Sequence, residues 1–188
     1  VCSSDLGIGL ELAKCFAADN YDLVLVARDM PALQRVAREL STAHTVECTV
    51  VALDLSAPGA AEKLAKQLGT QRIDVLVNNA GFGAAGPFAQ HELANAEAMI
   101  GVNITALTAL TRLYVPQMLA RKQGKILNVA STAAFLPGPN MAVYYATKAY
   151  VLSFSEAIAE EVAGTGVTVT ALCPGPTHTR FEKRAGAE

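Results

Sequence analysis

Three side chains that could move a proton together lie close along the chain. Tyr144 stands thirteen positions after Ser131, and Lys148 stands four positions after Tyr144. On a helix, residues four apart share one face, so the lysine ammonium would lie beside the phenol. A neighbouring ammonium favours the phenolate and lowers its pKa, which suits a tyrosine to proton transfer near neutral pH. These residues predict chemistry that moves a proton on or off a carbonyl or alcohol oxygen while a hydride moves at carbon.

A Tyr-x-x-x-Lys pair alone is a weak pattern, because most such pairs form an ordinary helix face. Two further motifs surround it: Asn78-Asn79-Ala80-Gly81 lies upstream and Pro174-Gly175 lies downstream. In this order, with this Ser–Tyr interval, the set resembles the short-chain dehydrogenase/reductase family, in its branch of single-domain enzymes. The resemblance runs from about Gly7 to about Phe181, which is nearly the whole chain.

Short apolar runs alternate with longer amphipathic stretches along the sequence. Strands are predicted at residues 23–27, 46–53, 73–77, 125–129 and 167–172. Helices are predicted at residues 10–18, 31–40, 57–68, 94–121 and 141–163, with Asp29 capping the second helix, Gly69 ending the third, and a break near Pro116 in the fourth. Strands apolar on both faces that alternate with helices predict a parallel sheet covered on both sides. Right-handed crossovers make this a single-domain, doubly wound, Rossmann-like α/β fold.

Composition excludes several classes of protein. At 188 residues, of which 52% are hydrophobic, the chain can bury one sizeable core. A net charge of −2 and a pI near 5.9 leave no basic footprint for nucleic acid. We expect no membrane span, since no run of eighteen apolar residues occurs, and we see no secretory signal. The cysteines have no metal spacing, so reduced thiols in a cytoplasmic protein are expected.

The two ends depart from the family pattern. A dinucleotide fold of this type opens with a strand, but residues 1–6 are too few and too polar to form one. They resemble the translation of a sequencing adapter, so we expect them to be non-native and the domain to span 7–188; a diverged N-terminus is the alternative. We expect the first and last family strands to be missing. The first would lie between the strands at 23–27 and 73–77, and its loss predicts a poorly stable, largely inactive fragment.

The resemblance implies a dinucleotide site at the carboxyl ends of the strands. Gly7, Ile8 and Gly9 match the turn that lets backbone and helix N-terminus approach a pyrophosphate. Arg28 follows the first predicted strand, where an acidic residue would select NAD, and an arginine can pair with a 2′-phosphate. We therefore predict NADP, with NAD as the alternative because Asp29 offers a carboxylate nearby.

Other positions match the family residues around the cofactor. Asp54 and Leu55 resemble the pair at the adenine, although Asp54 could equally cap the next helix. The remaining matches are Asn79, Ala80 and Gly81 beside the cofactor, Tyr144 and Lys148 near the nicotinamide ribose, Pro174 and Gly175 in the following turn, and Thr177 at the carboxamide.

The resemblance also assigns catalytic roles. Tyr144 would be the general acid or base, Lys148 would lower its pKa, and Ser131 would orient the substrate oxygen. Asn103 matches the helix asparagine that holds a water linking Lys148 to solvent; a local helix kink is the alternative. Tyr145 could also approach the lysine, but the interval from Ser131 favours Tyr144.

The resemblance therefore implies an NADP-dependent oxidoreductase that acts on a small-molecule carbonyl or secondary alcohol. When full length, it would assemble as a homodimer or homotetramer through the two longest helices. The alternatives are a nucleotide-binding sensor without turnover, a sugar-nucleotide epimerase, and a broken gene product without function. A sensor is disfavoured by the presence of both Tyr144 and Lys148, and an epimerase by the single-domain plan.

Overall fold

The structure is a computed structural model that describes residues 7–176. The strands are β1 (Leu23–Ala27), β2 (Cys48–Ala52), β3 (Val75–Asn78), β4 (Gly124–Val129) and β5 (Val167–Leu172). The α-helices are α1 (Ile8–Ala18), α2 (Met30–Ala43), α3 (Ala60–Leu68), α4 (Leu93–Ile100), α5 (Leu107–Arg121) and α6 (Ala142–Glu161). The predicted strands and helices are all present. The expectations for residues 1–6 and for Thr177 lie outside the described residues.

All strand pairs are parallel, and they form two groups. β1 pairs with β2, and β4 lies between β3 and β5. Within residues 7–176, β1 is hydrogen-bonded only to β2, and β3 only to β4. The division falls between β1 and β3, where the sequence analysis expects the first strand of the family pattern. The predicted parallel α/β architecture is confirmed.

Helices cover β1 from both sides. Leu25 packs in a core with α1 and α2, whereas Val24 and Val26 join the core beneath α3 and α5. Since successive strand residues point to opposite faces, these two cores lie on opposite faces of the sheet at β1, as in a doubly wound fold. Within the described range, cover is less complete at β4 and β5, where Lys125 and Thr168 are exposed on alternate positions.

The predicted helix boundaries have local causes. The Asp29 carboxylate accepts a hydrogen bond from the Ala32 N–H at 3.0 Å, and Pro31 occupies the first turn of α2, where its missing N–H costs nothing. Gly69 ends α3 with a φ of 57°, a conformation that favours glycine. Both boundaries were predicted from these residue types.

The long helical run from residue 93 to residue 121 breaks at a place the sequence did not predict. A π-helix at Gly101–Ala106 joins α4 to α5, whereas Pro116 lies inside α5 without ending it. The prediction of a break near Pro116 is therefore wrong. Pro116 is on the exposed side of α5, where water can satisfy the carbonyl that its missing N–H leaves without a partner.

The same run is long and apolar enough to cross a membrane by length and composition alone. Its best eighteen-residue window has a mean hydropathy of 1.4, and 39% of that window is buried inside the protein. The buried side chains include Leu110, Tyr114 and Met118, which pack in the core shared with β3 and β4.

Candidate active site

The parallel register brings the loops after β3, β4 and β5 to one edge. Asn78 is aligned with Asn128, and Val129 with Leu172, so neighbouring strands end at the same level. The Thr132 N–H donates to the Pro174 carbonyl at 3.0 Å, which ties the loop after β4 to the loop after β5. Two motifs far apart in sequence, at 131 and at 174–175, therefore meet.

Ser131, Tyr144 and Lys148 come together at this edge. The Ser131 hydroxyl hydrogen-bonds the Tyr144 hydroxyl. Ser131 Oγ also accepts the Ala133 N–H at 3.1 Å, which fixes the position of this hydroxyl at the edge of the sheet. Lys148 Nζ lies 5.7 Å from the centroid of the Tyr144 ring. The arrangement offers two hydroxyls to one oxygen atom, with a cation beside the phenol.

The pKa of Tyr144 moves opposite to the prediction. Burial raises the pKa of this phenol above 10.0, a hydrogen bond from Ser131 lowers it by less, and the nearby Tyr145 raises it further. Only 9% of Tyr144 is exposed, so loss of water disfavours the phenolate more than any neighbour favours it. The expectation that Lys148 lowers this pKa is wrong for the structure described, and Tyr144 carries its proton at neutral pH.

Lys148 is itself a buried ammonium. Burial lowers its pKa from 10.5 to about 8, while the adjacent Cys173 acts in the opposite direction. Its Nζ donates to the Val129 carbonyl at 2.8 Å. This bond fixes the end of the side chain against β4, so the charge is held by the sheet rather than by solvent.

Tyr145 occupies a different environment from Tyr144. Its ring lies against Gly138 so closely that a Cβ at that position would overlap it. The two tyrosine rings meet edge to face, with centroids 6.1 Å apart. Tyr144 is the tyrosine that bonds Ser131, in agreement with the thirteen-residue interval.

Asn103 lies in the π-helix and is almost fully buried. Its amide accepts from the Phe82 N–H at 3.1 Å, donates to the Phe82 carbonyl at 3.0 Å, and donates to the Thr147 hydroxyl at 2.9 Å. The side chain therefore fastens the turn after β3 to α6. The predicted role in holding a water stays a prediction, whereas the alternative of a local helix distortion agrees with the π-helix.

Gly81 lies close to Asn103 and Lys148. A Cβ there would lie 3.0 Å from the Asn103 amide oxygen and 3.4 Å from Lys148 Nζ. The backbone of the Asn79–Ala80–Gly81 turn can thus approach Lys148 closely. Ala80 packs against the main core, and Asn79 is half-buried.

The predicted cofactor residues after β1 and β2 divide into two groups. Arg28 and Asp54 are exposed at the carboxyl ends of their strands. The Ser56 hydroxyl and N–H, followed by Arg28, hold the pKa of the Asp54 carboxyl below its ordinary value. One Asp54 oxygen is thus engaged in a local turn, at 2.7 and 2.9 Å from Ser56. The Leu55 side chain lies in the core, and the predicted position of this residue at the adenine stays a prediction.

The glycine turn lies at the start of α1. Gly7 caps α1 with a φ of 71°, and no side chain caps this helix end. Ile8 and Gly9 form the first turn of the helix. Pro174 and Gly175 follow β5 beside the Ser131 loop.

Sequence reasoning missed two features of the site. Cys173 was grouped with scattered thiols, yet it lies close enough to Lys148 to affect its pKa; its position directly before Pro174-Gly175 was the available clue. A buried chain of amides and hydroxyls, formed by Asn78, Asn128, Thr111 and Ser155, also went unnoticed. Polar residues in apolar strands and helices were its only signal.

Known proteins are similar to this chain in sequence and in fold. The short chain dehydrogenase family model matches residues 1–188. The very-long-chain 3-oxoacyl-CoA reductase-A of Danio rerio is 34% identical over 181 residues, which cover 94% of this chain and 57% of that protein. The chain thus spans a little over half the length of that relative. This chain therefore belongs to the short-chain dehydrogenase/reductase family of oxidoreductases.

Solved structures agree in fold. A short-chain dehydrogenase from Sphingobium yanoikuyae in complex with NADPH superposes with a TM-score of 0.93 at 36% identity, covering 98% of this chain and 73% of that one. A 3-ketoacyl-(acyl-carrier-protein) reductase from Brucella melitensis complexed with NADH has a TM-score of 0.85 at 34% identity, covering 96% and 76%. The similar structures therefore include one with NADPH and one with NADH.

Proposed function

We propose that the protein is an NADP-dependent oxidoreductase that transfers a hydride between nicotinamide and a carbonyl or secondary alcohol. The observation that carries this proposal is the hydrogen bond between Ser131 and Tyr144, with the buried Lys148 ammonium beside the phenol ring. Membership in a family of oxidoreductases supports it. The substrate would be a small molecule.

The residues at the carboxyl edge fit a dinucleotide. The α1 N-terminus begins at a glycine without a side-chain cap, which suits a pyrophosphate. A Cβ on Gly81 would crowd the Asn103 amide oxygen at 3.0 Å, and a glycine here lets the backbone pass close to a bound group. Lys148 and the Pro174-Gly175 turn would hold the nicotinamide end. When bound, the nicotinamide supplies or accepts the hydride.

The side chains would handle the proton. Because burial keeps Tyr144 protonated at neutral pH, its hydroxyl is ready to donate to a carbonyl oxygen that is being reduced. Ser131 would donate a second hydrogen bond to the same oxygen and hold it in place. Lys148, with a pKa of about 8, retains its proton at neutral pH yet releases it readily, so it can restore a proton to the Tyr144 oxygen.

Exchange of Tyr144 for phenylalanine tests the proposal directly. Tyr144→Phe keeps the ring and removes the acid, so kcat/KM for carbonyl reduction should fall by a factor of about 10² to 10⁴. Tyr145→Phe is the matched control, since it removes a neighbouring hydroxyl that lies outside the Ser131 bond. NADPH oxidation would be followed with a panel of ketones and aldehydes. Equal loss in both variants, or loss only in Tyr145→Phe, would contradict the assignment.

The preference for NADP rests on Arg28. This guanidinium is exposed at the end of β1, close enough to Asp54 to lower its pKa, and can form charge-assisted bonds with a 2′-phosphate. We expect a higher kcat/KM with NADPH than with NADH. Arg28→Ala should remove most of that difference without lowering the value for NADH. A preference for NADH in the parent protein would contradict the NADP assignment alone.

A further inference from the structure

A buried chain of hydrogen bonds runs behind the candidate site from α5 to α6. Asn78 Nδ2 donates to Thr111 Oγ1 at 3.2 Å and to Asn128 Oδ1 at 2.8 Å. Asn128 Nδ2 donates to Ser155 Oγ at 2.9 Å, and Ser155 Oγ donates to the Val151 carbonyl at 2.6 Å. The two asparagines, Thr111 and Ser155 are each 6% exposed or less. The chain crosses two helices and two strands without reaching solvent.

Hydrogen-bonding chemistry fixes the direction of this chain. The single Ser155 proton goes to the Val151 carbonyl, so Ser155 Oγ can only accept from Asn128. Asn128 must therefore turn its NH₂ group toward α6 and its oxygen toward Asn78. That oxygen requires an N–H from Asn78. Each amide thus has one allowed orientation, set from the α6 end.

The chain of hydrogen bonds comes close to the candidate site at three places. Asn78 directly precedes the turn at 79–81, and Asn128 directly precedes Val129, whose carbonyl accepts from Lys148. Ser155 stands seven residues, about two helical turns, after Lys148, and both side chains point to the sheet. The bonds of Lys148 to Val129 and of Ser155 to Asn128 therefore fasten α6 to β4 at two heights.

Two hydrogen bonds from one face of α6 to β4 restrict both the rotation of the helix about its axis and its position along the strand. A slide of α6 along β4 would break the bond from Asn128 Nδ2 to Ser155 Oγ. It would leave a buried N–H of Asn128 without its partner, which is unfavourable in a site that excludes water. Apolar packing alone, such as Val151 against Ala130, tolerates small slides because it is not directional. The polar chain therefore supplies a register that the surrounding core does not.

We infer that Asn128 and Ser155 are positioning residues, which hold α6 in the one register that keeps Lys148 on the Val129 carbonyl and Tyr144 at Ser131. The consequence of this positioning for catalysis rests on the proposed function. Neither residue touches the reacting atoms. Their effect passes through Lys148, whose titratable neighbours, Tyr144 and Cys173, stay unchanged in the variants below.

Ser155→Ala tests this inference by removing the terminal acceptor. The Lys148 titration midpoint would be measured by NMR on protein with ¹³C-labelled lysine, with the signal assigned through Lys148→Met. The parent midpoint is expected at about 8. In Ser155→Ala, a loosened α6 admits water to Nζ, so the midpoint should rise by about one pH unit toward the ordinary lysine value. Ser155→Thr, which keeps the hydroxyl, should restore the parent midpoint.

Thr165→Ala is a matched control. Its hydroxyl donates to the Val162 carbonyl at 2.6 Å beyond the end of α6, so the variant loses a similar bond away from the site. It should leave the Lys148 midpoint in place. If Ser155→Ala does not fold, Thr111→Val removes the other end of the chain and should raise the midpoint by less. An unmoved midpoint in the Ser155 or Thr111 variant, despite lower stability, would reduce the chain to an ordinary structural contact and overturn the inference.

The titration does not require turnover. A parent protein that folds but oxidises no NADPH with any carbonyl would contradict the proposed function and leave the test intact. If the parent is active, Ser155→Ala should lower kcat more than it raises KM and shift the pH profile with the Lys148 midpoint, while Ser155→Thr should not. Failure of the two ideas is thus distinguishable.

Discussion

Two buried ionisable groups dominate the site at the scale of single residues. Lys148 is 5% exposed and Tyr144 is 9% exposed. Burial favours the neutral form of each group, so it lowers the pKa of the lysine and raises the pKa of the phenol. At neutral pH the phenol holds its proton, and the lysine has a pKa of about 8, close to neutral pH. The pair is therefore suited to the proton donation that the proposed carbonyl reduction would require.

The lowered Lys148 pKa predicts an unusual dependence of stability on pH. Between pH 8 and 10.5, the unfolded chain holds a proton that the folded chain has released, so the free energy of unfolding rises with pH across this window. At about 1.4 kcal/mol per pH unit, the rise across this window is at most about 3.5 kcal/mol. Above pH 10, the raised pKa values of Tyr144 and Tyr114 reverse the trend. Urea unfolding at pH values from 7 to 11 measures both the rise in the free energy of unfolding and its reversal.

Two lysine variants separate this effect from general charge effects. Lys148→Met should abolish the rise between pH 8 and 10. Lys125→Met, at an exposed position on β4, should retain it. A parent protein whose stability is flat or falling across pH 8 to 10 would show that Lys148 keeps its charge on folding.

At the scale of elements, the turn from α6 into β5 depends on two glycines with different constraints. Gly164 has a φ of 75° with no atom within 4 Å of an added Cβ, whereas a Cβ on Gly166, at φ 87°, would overlap the Lys122 carbonyl. Gly164→Ala should therefore cost about 1 kcal/mol of stability from backbone strain alone. Gly166→Ala should cost at least about 3 kcal/mol, since the turn after α5 must also move. Denaturant unfolding of the pair gives both values, and similar costs would mean that the Lys122 loop yields freely.

The π-helix is the element that the sequence predicted least well. Residues 101–106 have no proline and lie in an apolar stretch that is typical of a regular helix. The distortion accompanies the bonds of Asn103 to Phe82 and Thr147, which lie far from it in sequence. No local pattern encodes such distant partners, whereas the alternation of strands and helices is local and was predicted closely.

At the scale of the whole molecule, α6 presents a face of small residues to solvent. Ala142, Ala146 and Ala149 are exposed, so they do not pack against the sheet. Small side chains on an exposed helix face permit close packing against a second copy. We expect the protein to be a dimer or tetramer, and Ala146→Arg to shift it toward the monomer in light scattering after size exclusion. Ala163→Arg, at an exposed position after α6, is the control. If the parent is already monomeric, this use of the face is refuted.

The sequence by itself determined the order of the elements and the motifs at their ends. Apolar periodicity, Asp29, Gly69 and the Tyr144–Lys148 spacing are properties of neighbouring residues, and short-range geometry converts them directly into helices, strands and a shared face. The meeting of Ser131 with Pro174 also followed, because parallel strands end at one edge.

Only the tertiary structure decided the electrostatics and the register of the site. The direction of the Tyr144 pKa depends on how completely distant residues exclude water, and that loss of water outweighs the hydrogen bond from Ser131. The orientation of Asn128 likewise depends on Ser155, which lies on another element. Desolvation and directional bonding are sums over contacts made across the fold, so no single stretch of sequence contains them.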